Sequence, residues 1–276
     1  MKLFPSMNQP GVWVTTLMAA AILMITMGTR QSMGLYVGPL NTDTGLGIVS
    51  ISLAMAIGQF VWGAIQPIAG ACADKFGPRP VLLSGLLILV LGSALTPFVS
   101  SQLGLILTLG LLTAIGSGAC SFSVLLGAVA QRIPATSRGT ASGIINAGSS
   151  FGQFVFAPII GKLIQWVGWM NTMWSMAAVA LLAIPLLNRL TNDTHAPSKA
   201  PDPEGGLKKA LADAVRNPSY LLLHLGFFTC GFHIAFLVTH LPTEVGLCGL
   251  SPTVASWSLA LIGLANIVGS LFAGSC

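Results

Sequence analysis

The chain has 276 residues, of which 54% are hydrophobic and 7% charged, with a mean hydropathy of +0.83 and a formal net charge of +5. Soluble domains carry about 25% charged residues, so this composition excludes an ordinary soluble domain and indicates a membrane protein. The five cysteines lack the spacing of metal ligands or of a disulfide framework. We therefore expect no metal and no cofactor.

Eight apolar segments are long enough to cross a bilayer, whose core requires about 20 residues per helix. They cover residues 12–37, 48–70, 81–99, 103–130, 139–161, 168–187, 219–240 and 252–275. The sequence therefore predicts an all-α, polytopic membrane protein. We expect a six-helix bundle at 1–187, a polar, proline-rich linker at 188–217 with a short surface helix at 206–216, and two helices of a second bundle at 218–276.

The basic residues predict the orientation of the spans, because short cytoplasmic loops retain Lys and Arg. With a cytoplasmic N-terminus, Lys162 falls on the outer side and Arg30 lies within a span. The other ten of the 12 bases face the cytoplasm: Lys2, Lys75, Arg79, Arg132, Arg138, Arg189, Lys199, Lys208, Lys209 and Arg216. Topology and membrane lipid thus account for the positive charge, and nucleic-acid binding has no support. We expect a multi-pass protein of the plasma (cell inner) membrane.

A short charged loop joins the second and third spans. Residues 70–80 read Gly-Ala-Cys-Ala-Asp-Lys-Phe-Gly-Pro-Arg-Pro. The pattern Gly-x-x-x-Asp-Lys-x-Gly-x-Arg between two apolar runs resembles the loop between helices two and three of the major facilitator superfamily of secondary transporters. The chain departs from the family pattern at Pro80, where a second base is usual. The resemblance implies a major facilitator-type six-helix bundle, followed by the first helices of a second one.

Individual residues of this loop have separate expected roles. Gly77 suits a turn position that needs a positive φ, and Gly70 would let two helices approach closely. Asp74 is expected to accept hydrogen bonds from a helix N-terminus or to pair with Arg132 or Arg138. The resemblance implies a latch that gates the carrier; the alternative is a turn whose charges merely face water. The proposed gating residues are Gly70, Asp74, Lys75, Gly77, Arg79, Arg132 and Arg138.

Arg30 is the only formally charged residue inside a predicted span. A guanidinium in hydrocarbon is costly unless it faces a polar cavity or reaches the headgroups, so a binding site and snorkelling both stay open. The superfamily is built from two parallel repeats, and aligning Pro39 with Pro242 places His233 opposite Arg30. Two such groups across a central cavity would suit an anionic substrate, although His233 could instead be a neutral buried histidine.

The fifth span supplies further candidates. The segment Arg138-Gly-Thr-Ala-Ser-Gly-Ile-Ile-Asn-Ala-Gly resembles helix five of the monocarboxylate and oxalate/formate branch, as does the stretch from Arg30 to Leu40. Its glycines would form a smooth face for helix packing, which alone explains them adequately. Asn146 lies on that face as a possible hydrogen-bond donor to substrate. Trp257 and Asn266 of the eighth span are further candidates for the cavity wall.

All seven Asp and Glu residues fall in predicted loops. The spans therefore offer no carboxylate for proton coupling, whereas exchange of one anion for another needs none. By resemblance we expect a monomeric secondary transporter, not an enzyme, that moves a small organic anion, a mono- or dicarboxylate, by alternating access. A drug or neutral-solute efflux carrier of the same fold and a non-transporting, truncated membrane protein remain the alternatives.

The end of the sequence repeats the beginning of the charged loop. Ala69-Gly70-Ala71-Cys72 has a counterpart in Ala273-Gly274-Ser275-Cys276, and the chain stops before the aspartate would follow. We therefore expect a C-terminally truncated chain with eight of the usual twelve helices.

Overall fold

The computed structural model describes residues 10–191 and 212–275, and every regular element in those ranges is helical. Helices satisfy their backbone hydrogen bonds internally, as a lipid environment demands. The α-helices are α1 (Pro10–Arg30), α2 (Val37–Thr44), α3 (Ile48–Phe76), α4 (Pro78–Leu95), α5 (Gln102–Leu105), α6 (Thr113–Ala119), α7 (Phe122–Ala130), α8 (Arg138–Leu181), α9 (Ala183–Thr191), α10 (Pro218–Leu247) and α11 (Pro252–Ser275). A π-helix covers Ile106–Leu112, and 3-10 turns cover Met33–Tyr36, Thr96–Phe98 and Ala135–Ser137.

Seven helical segments in the described ranges are long and apolar enough to cross a membrane. One of them, Ala135–Thr191, has 57 residues, about 85 Å of helix against a bilayer core of about 30 Å. Gly168 interrupts it with φ 81° and ψ 165°. This segment therefore holds both the fifth and the sixth predicted spans, and the prediction of an all-α polytopic membrane protein is confirmed.

Two hydrogen bonds fix the direction of the sixth span. Arg79 at the start of α4 donates to Oδ1 of Asn188 at 3.5 Å, and Trp174, after the break at Gly168, donates from Nε1 to the carbonyl of Ala94 at 3.1 Å. The sixth span therefore runs antiparallel to α4. We call the end of the bundle that holds Arg79 and Asn188 the basic end.

Small residues let α1 and the first part of α8 lie close together. A Cβ added to Gly152 would collide with the carbonyl oxygen of Met24, and one on Gly148 would lie 2.6 Å from the carbonyl oxygen of Ala20. Helices in lipid associate through such close van der Waals packing. The predicted smooth face of the fifth span is therefore confirmed.

The last two helices contact the bundle in different ways. α11 packs along the first part of α8, where a Cβ on Gly263 would lie 2.7 Å from the carbonyl oxygen of Ser150. α10 meets the 3-10 turn after α1 at Gly34, whose Cβ would collide with the carbonyl oxygen of Val238. Much of the remaining surface of α10 is exposed.

The charged loop is shorter than predicted, because α3 continues to Phe76 and α4 begins at Pro78. Gly77 alone separates the two helices, and its φ of 89° confirms the expected positive φ.

The expectation that Gly70 lets two helices approach closely is wrong for the described residues. Gly70 lies inside α3, and no neighbouring heavy atom approaches within 4 Å of a Cβ built there.

The boundaries of two predicted segments also change. The first span leaves the α-helix after Arg30 and continues as a 3-10 turn. The linker begins later than residue 188, because α9 extends to Thr191. Residues 192–211 of the predicted linker, including part of the surface helix at 206–216, lie outside the described residues, and 212–216 are helical.

Candidate functional site

Arg30 is the last residue of α1, and its side chain reaches α3. Nη2 donates to Oε1 of Gln59 at 2.5 Å and to the carbonyl oxygen of Gly58 at 3.3 Å. The helix ends here while Ser32 donates from Oγ to the carbonyl of Gly28 at 2.9 Å. The break in the first span therefore places a half-buried guanidinium between two helices.

An aromatic ring covers the same guanidinium. Cζ of Arg30 lies 4.9 Å from the centroid of the Trp62 ring, within the range of a cation–π interaction. Both hydrogen bonds of Arg30 come from Nη2, so Nε and Nη1 donate none within the described residues. An arginine carries five N–H donors, and several of them remain for a ligand.

The π-helix packs against Gly58, whose carbonyl oxygen accepts a hydrogen bond from Arg30. A Cβ on Gly58 would lie 3.1 Å from the carbonyl oxygen of Leu109, so only a glycine fits without displacement. The backbone N–H of Thr113 bonds to the carbonyl of Thr108, and its hydroxyl donates to the carbonyl of Leu109 at 2.7 Å. The hydroxyl of Thr113 thus donates to the carbonyl of Leu109, which the π-helix leaves without a backbone donor. π-helical turns are frequent at functional sites.

The guanidinium borders a small cavity between α1, α3, the π-helix and α10. Its volume is about 30 Å³, which is room for about two water molecules. α10 contributes Val238 and Thr239 to the wall. The other lining residues are Met33, Met55, Gly58, Gln59, Leu109 and Thr113. In this conformation the cavity therefore has room for little more than water.

The structure does not bring the other predicted binding residues to this cavity. His233 is exposed on α10, and Trp257 on α11 is 50% exposed. Asn146 is exposed and donates from Nδ2 to Oγ of Ser270 at 2.8 Å. Asn266 is half-buried on α11. Among the described residues that line the cavity, Arg30 alone was predicted from the sequence.

The predicted latch is spread over the basic end. Asp74 is exposed on α3. It lines a cavity of about 480 Å³ together with side chains of α3 and α7. Because α3 stays helical up to Phe76, the carboxylate projects from the helix instead of folding back into a loop. Nζ of Lys75 lies 5.2 Å from the centroid of the Phe76 ring.

Sequence reasoning missed Gln59 and Trp62, which hold the guanidinium. They are three residues apart in α3, so they lie on one helix face. A glutamine and a tryptophan at this spacing inside an apolar helix were the available signal. Their pairing with Arg30 depends on how α1 and α3 pack, which helical periodicity does not provide.

Comparison with known proteins relates this arrangement to transporters. The family model described as Major Facilitator Superfamily matches residues 15–275. "Monocarboxylate transporter 13" of Bos taurus is 27% identical over 95% of this chain and 60% of the relative. "Oxalate:formate antiporter" of Oxalobacter formigenes is 25% identical over 92% of the chain and 60% of the relative. "Fujikurins efflux protein" of Gibberella fujikuroi is 28% identical over 78% of the chain and 45% of the relative.

A solved structure supports the fold. The crystal structure of a D-xylose-proton symporter superposes with a TM-score of 0.65 at 17% identity, over 93% of this chain and 67% of the other. At this identity the likeness concerns the fold alone. The chain spans at most about 60% of the length of these curated relatives.

Proposed function

Because the chain belongs to the major facilitator superfamily, we propose that it acts in secondary transport and moves a small organic anion, a mono- or dicarboxylate, by alternating access. The similarity to a monocarboxylate transporter and to an oxalate:formate antiporter supports an anionic substrate. The observation that carries the proposal is the Arg30 guanidinium in a cavity whose walls come from both α1 and α10.

The surroundings of Arg30 suit a carboxylate. Nη2 is committed to neutral acceptors, while Nε and Nη1 keep their protons for an incoming oxygen. Arginine–carboxylate hydrogen bonds are charge-assisted and therefore stronger than neutral ones. Met33, Met55 and Leu109 form an apolar part of the wall, and low local dielectric strengthens the attraction between opposite charges.

Substrate entry requires a more open arrangement, because the cavity of about 30 Å³ is smaller than a carboxylate-bearing molecule. Movement of α10 away from α1 would widen it and expose new faces. We propose that this open cavity also includes His233, Asn146, Trp257 and Asn266. The segment from Gly70 to Arg79, which joins α3 to α4, is proposed to gate it together with Arg132 and Arg138 from the cytoplasmic side, where the N-terminus would lie.

The test measures uptake of radiolabelled oxalate and lactate into vesicles containing the purified protein. Arg30→Ala should reduce uptake at least tenfold, and Arg30→Lys should retain part of it because the charge persists without the forked geometry. Lys162→Ala is the matched control, since it removes a base outside the cavity, and should leave uptake within twofold of the parent. Unchanged uptake by Arg30→Ala would refute the proposal that Arg30 binds the anion.

A second candidate function is efflux of a drug-like or neutral compound by the same fold. The similarity to a fungal efflux protein favours it. The neutral partners of Arg30 favour it as well. Gln59, the carbonyl of Gly58 and the ring of Trp62 stabilise the guanidinium without any substrate. In that case Arg30→Ala would lower thermal stability, while the vesicles would still transport a neutral aromatic compound.

A further inference from the structure

We propose that a second cavity, at the end of the bundle opposite the basic end, binds a small neutral aromatic molecule. This cavity has a volume of about 290 Å³. Its walls come from α2 and the turn before it, the first part of α8, the end of α10 and the start of α11. It therefore lies on the seam between the first helices of the chain and the last two.

Glycines create the space. Gly38 in α2 and Gly246 in α10 both line the cavity, and no neighbouring heavy atom lies within 4 Å of a Cβ built at either position. Pro39 and Pro242 supply rigid apolar walls beside them. The missing side chains thus leave a preformed recess, and a ligand would fill it without moving the backbone.

The lining chemistry selects a neutral ligand. Among the described residues, no charged side chain lines the cavity, and Gln165 and Thr243 are the polar side chains of its wall. An enclosed apolar cavity of about 150 Å³ binds benzene. This recess is partly open at the surface, where Leu247 and Leu250 are exposed, and its volume of about 290 Å³ is enough for two fused rings. An amide and a hydroxyl at the wall would accept or donate one hydrogen bond. These features describe a two-ring aromatic compound with a single hydroxyl group, such as 2-naphthol.

This cavity is separate from the one beside Arg30. Gly34 lies against α10, where its Cβ would stand 2.9 Å from the carbonyl oxygen of Thr239 and 3.2 Å from Cγ of Pro242. Met33 lines the smaller cavity and Gly34 the larger one, so this contact forms the partition. Binding in the larger cavity and the proposed anion transport are measured separately, so the failure of one leaves the other testable.

The experiment measures equilibrium binding of tritiated 2-naphthol to the full chain in lipid nanodiscs, with protein-free nanodiscs as the background. We expect saturable binding of one molecule per chain. Gly246→Leu and Gly38→Leu place a side chain in the recess and should weaken binding at least tenfold. Gly226→Leu is the matched control, because Gly226 also lies in α10 with open space at its Cβ but does not line the cavity.

Further variants separate the possible outcomes. Arg30→Ala should bind 2-naphthol as the parent does, which distinguishes this cavity from the anion site. Equal, non-saturable uptake by nanodiscs with and without protein would mean partition into lipid and would overturn the proposal. Saturable binding that survives both Gly246→Leu and Gly38→Leu would overturn it as well. The two filling variants lie in different helices, so misfolding of one leaves the other as a test.

Discussion

Nη2 of Arg30 lies 2.5 Å from Oε1 of Gln59, so a neutral amide holds the guanidinium where a carboxylate would form an ion pair. Gln59→Glu would supply that carboxylate with almost no change in shape. We expect the internal ion pair to compete with an external anion and to lower its affinity at least tenfold. Thermal stability should be unchanged or higher, because a hydrogen bond between charged groups is stronger than one to an amide. Oxalate and lactate binding and thermal unfolding are the measurements.

Gln66→Glu is the control for this change, because Gln66 lies in the same helix but lines the cavity at the basic end. It adds the same charge at a distance from Arg30 and should leave anion affinity within twofold. Equal loss of affinity in both variants would mean that any added negative charge acts from afar, and Gln59 would have no special role.

Gly34→Ala tests the contact that joins the 3-10 turn after α1 to α10. The added methyl group would collide with the carbonyl oxygen of Val238, and overpacking typically costs about 1–3 kcal/mol. We expect a lower free energy of unfolding and a wider separation between spin labels on the two helices. Gly38→Ala, one turn further along the chain with open space at its Cβ, should change neither quantity. Equal stability of the two variants would contradict the close approach.

Gly152→Ala tests the packing of α1 on α8. Its methyl group would meet the carbonyl oxygen of Met24, so α1 must shift, and about 1–3 kcal/mol of stability should be lost. Gly139→Ala is the control in the same helix. Because nothing lies within 4 Å of its Cβ, the alanine should be neutral or add up to about 1 kcal/mol. Chemical unfolding monitored by circular dichroism would compare them, and the reverse order would refute the packing.

Gly77→Ala addresses the turn between α3 and α4. The φ of 89° and ψ of 156° belong to a region that only glycine adopts readily, and an alanine there costs of order 1–3 kcal/mol. Gly70→Ala, inside α3 with open space at its Cβ, should instead add about 0.5–1 kcal/mol. The measurement is the thermal midpoint of each variant. Stabilisation by Gly77→Ala would show that the turn has another geometry.

The sequence was sufficient for features that depend on local composition. Apolar length predicted the helices, and Gly77 between charged and proline residues predicted a positive φ. The glycines of the fifth span predicted a close helix contact, which occurs at Gly148 and Gly152. Each of these properties is determined by residues adjacent in the chain or on one helix face.

Features that depend on packing between helices were less predictable. The π-turn next to Gly58 and the partners of Arg30 arise from the contact of α3 with two other elements. The repeat alignment placed His233 opposite Arg30, whereas the residues that α10 contributes to the cavity are Val238 and Thr239. Matching repeat positions predicts how deep a residue lies along its helix. It does not predict how the helix is rotated about its own axis, and this rotation decides which side chains face the cavity.

The two contacts between the first and last helices differ in extent. α8 and α11 touch over several turns, from Gly161 beside Ser256 to Asn146 beside Ser270, whereas α10 meets the first helices chiefly around Gly34. A rigid-body rotation about an axis along α8 and α11 would keep the long contact while lifting α10 from Gly34. The long contact would then act as the hinge, and the short contact at Gly34 would open. Both cavities border the contact at Gly34, so the same rotation would enlarge them together.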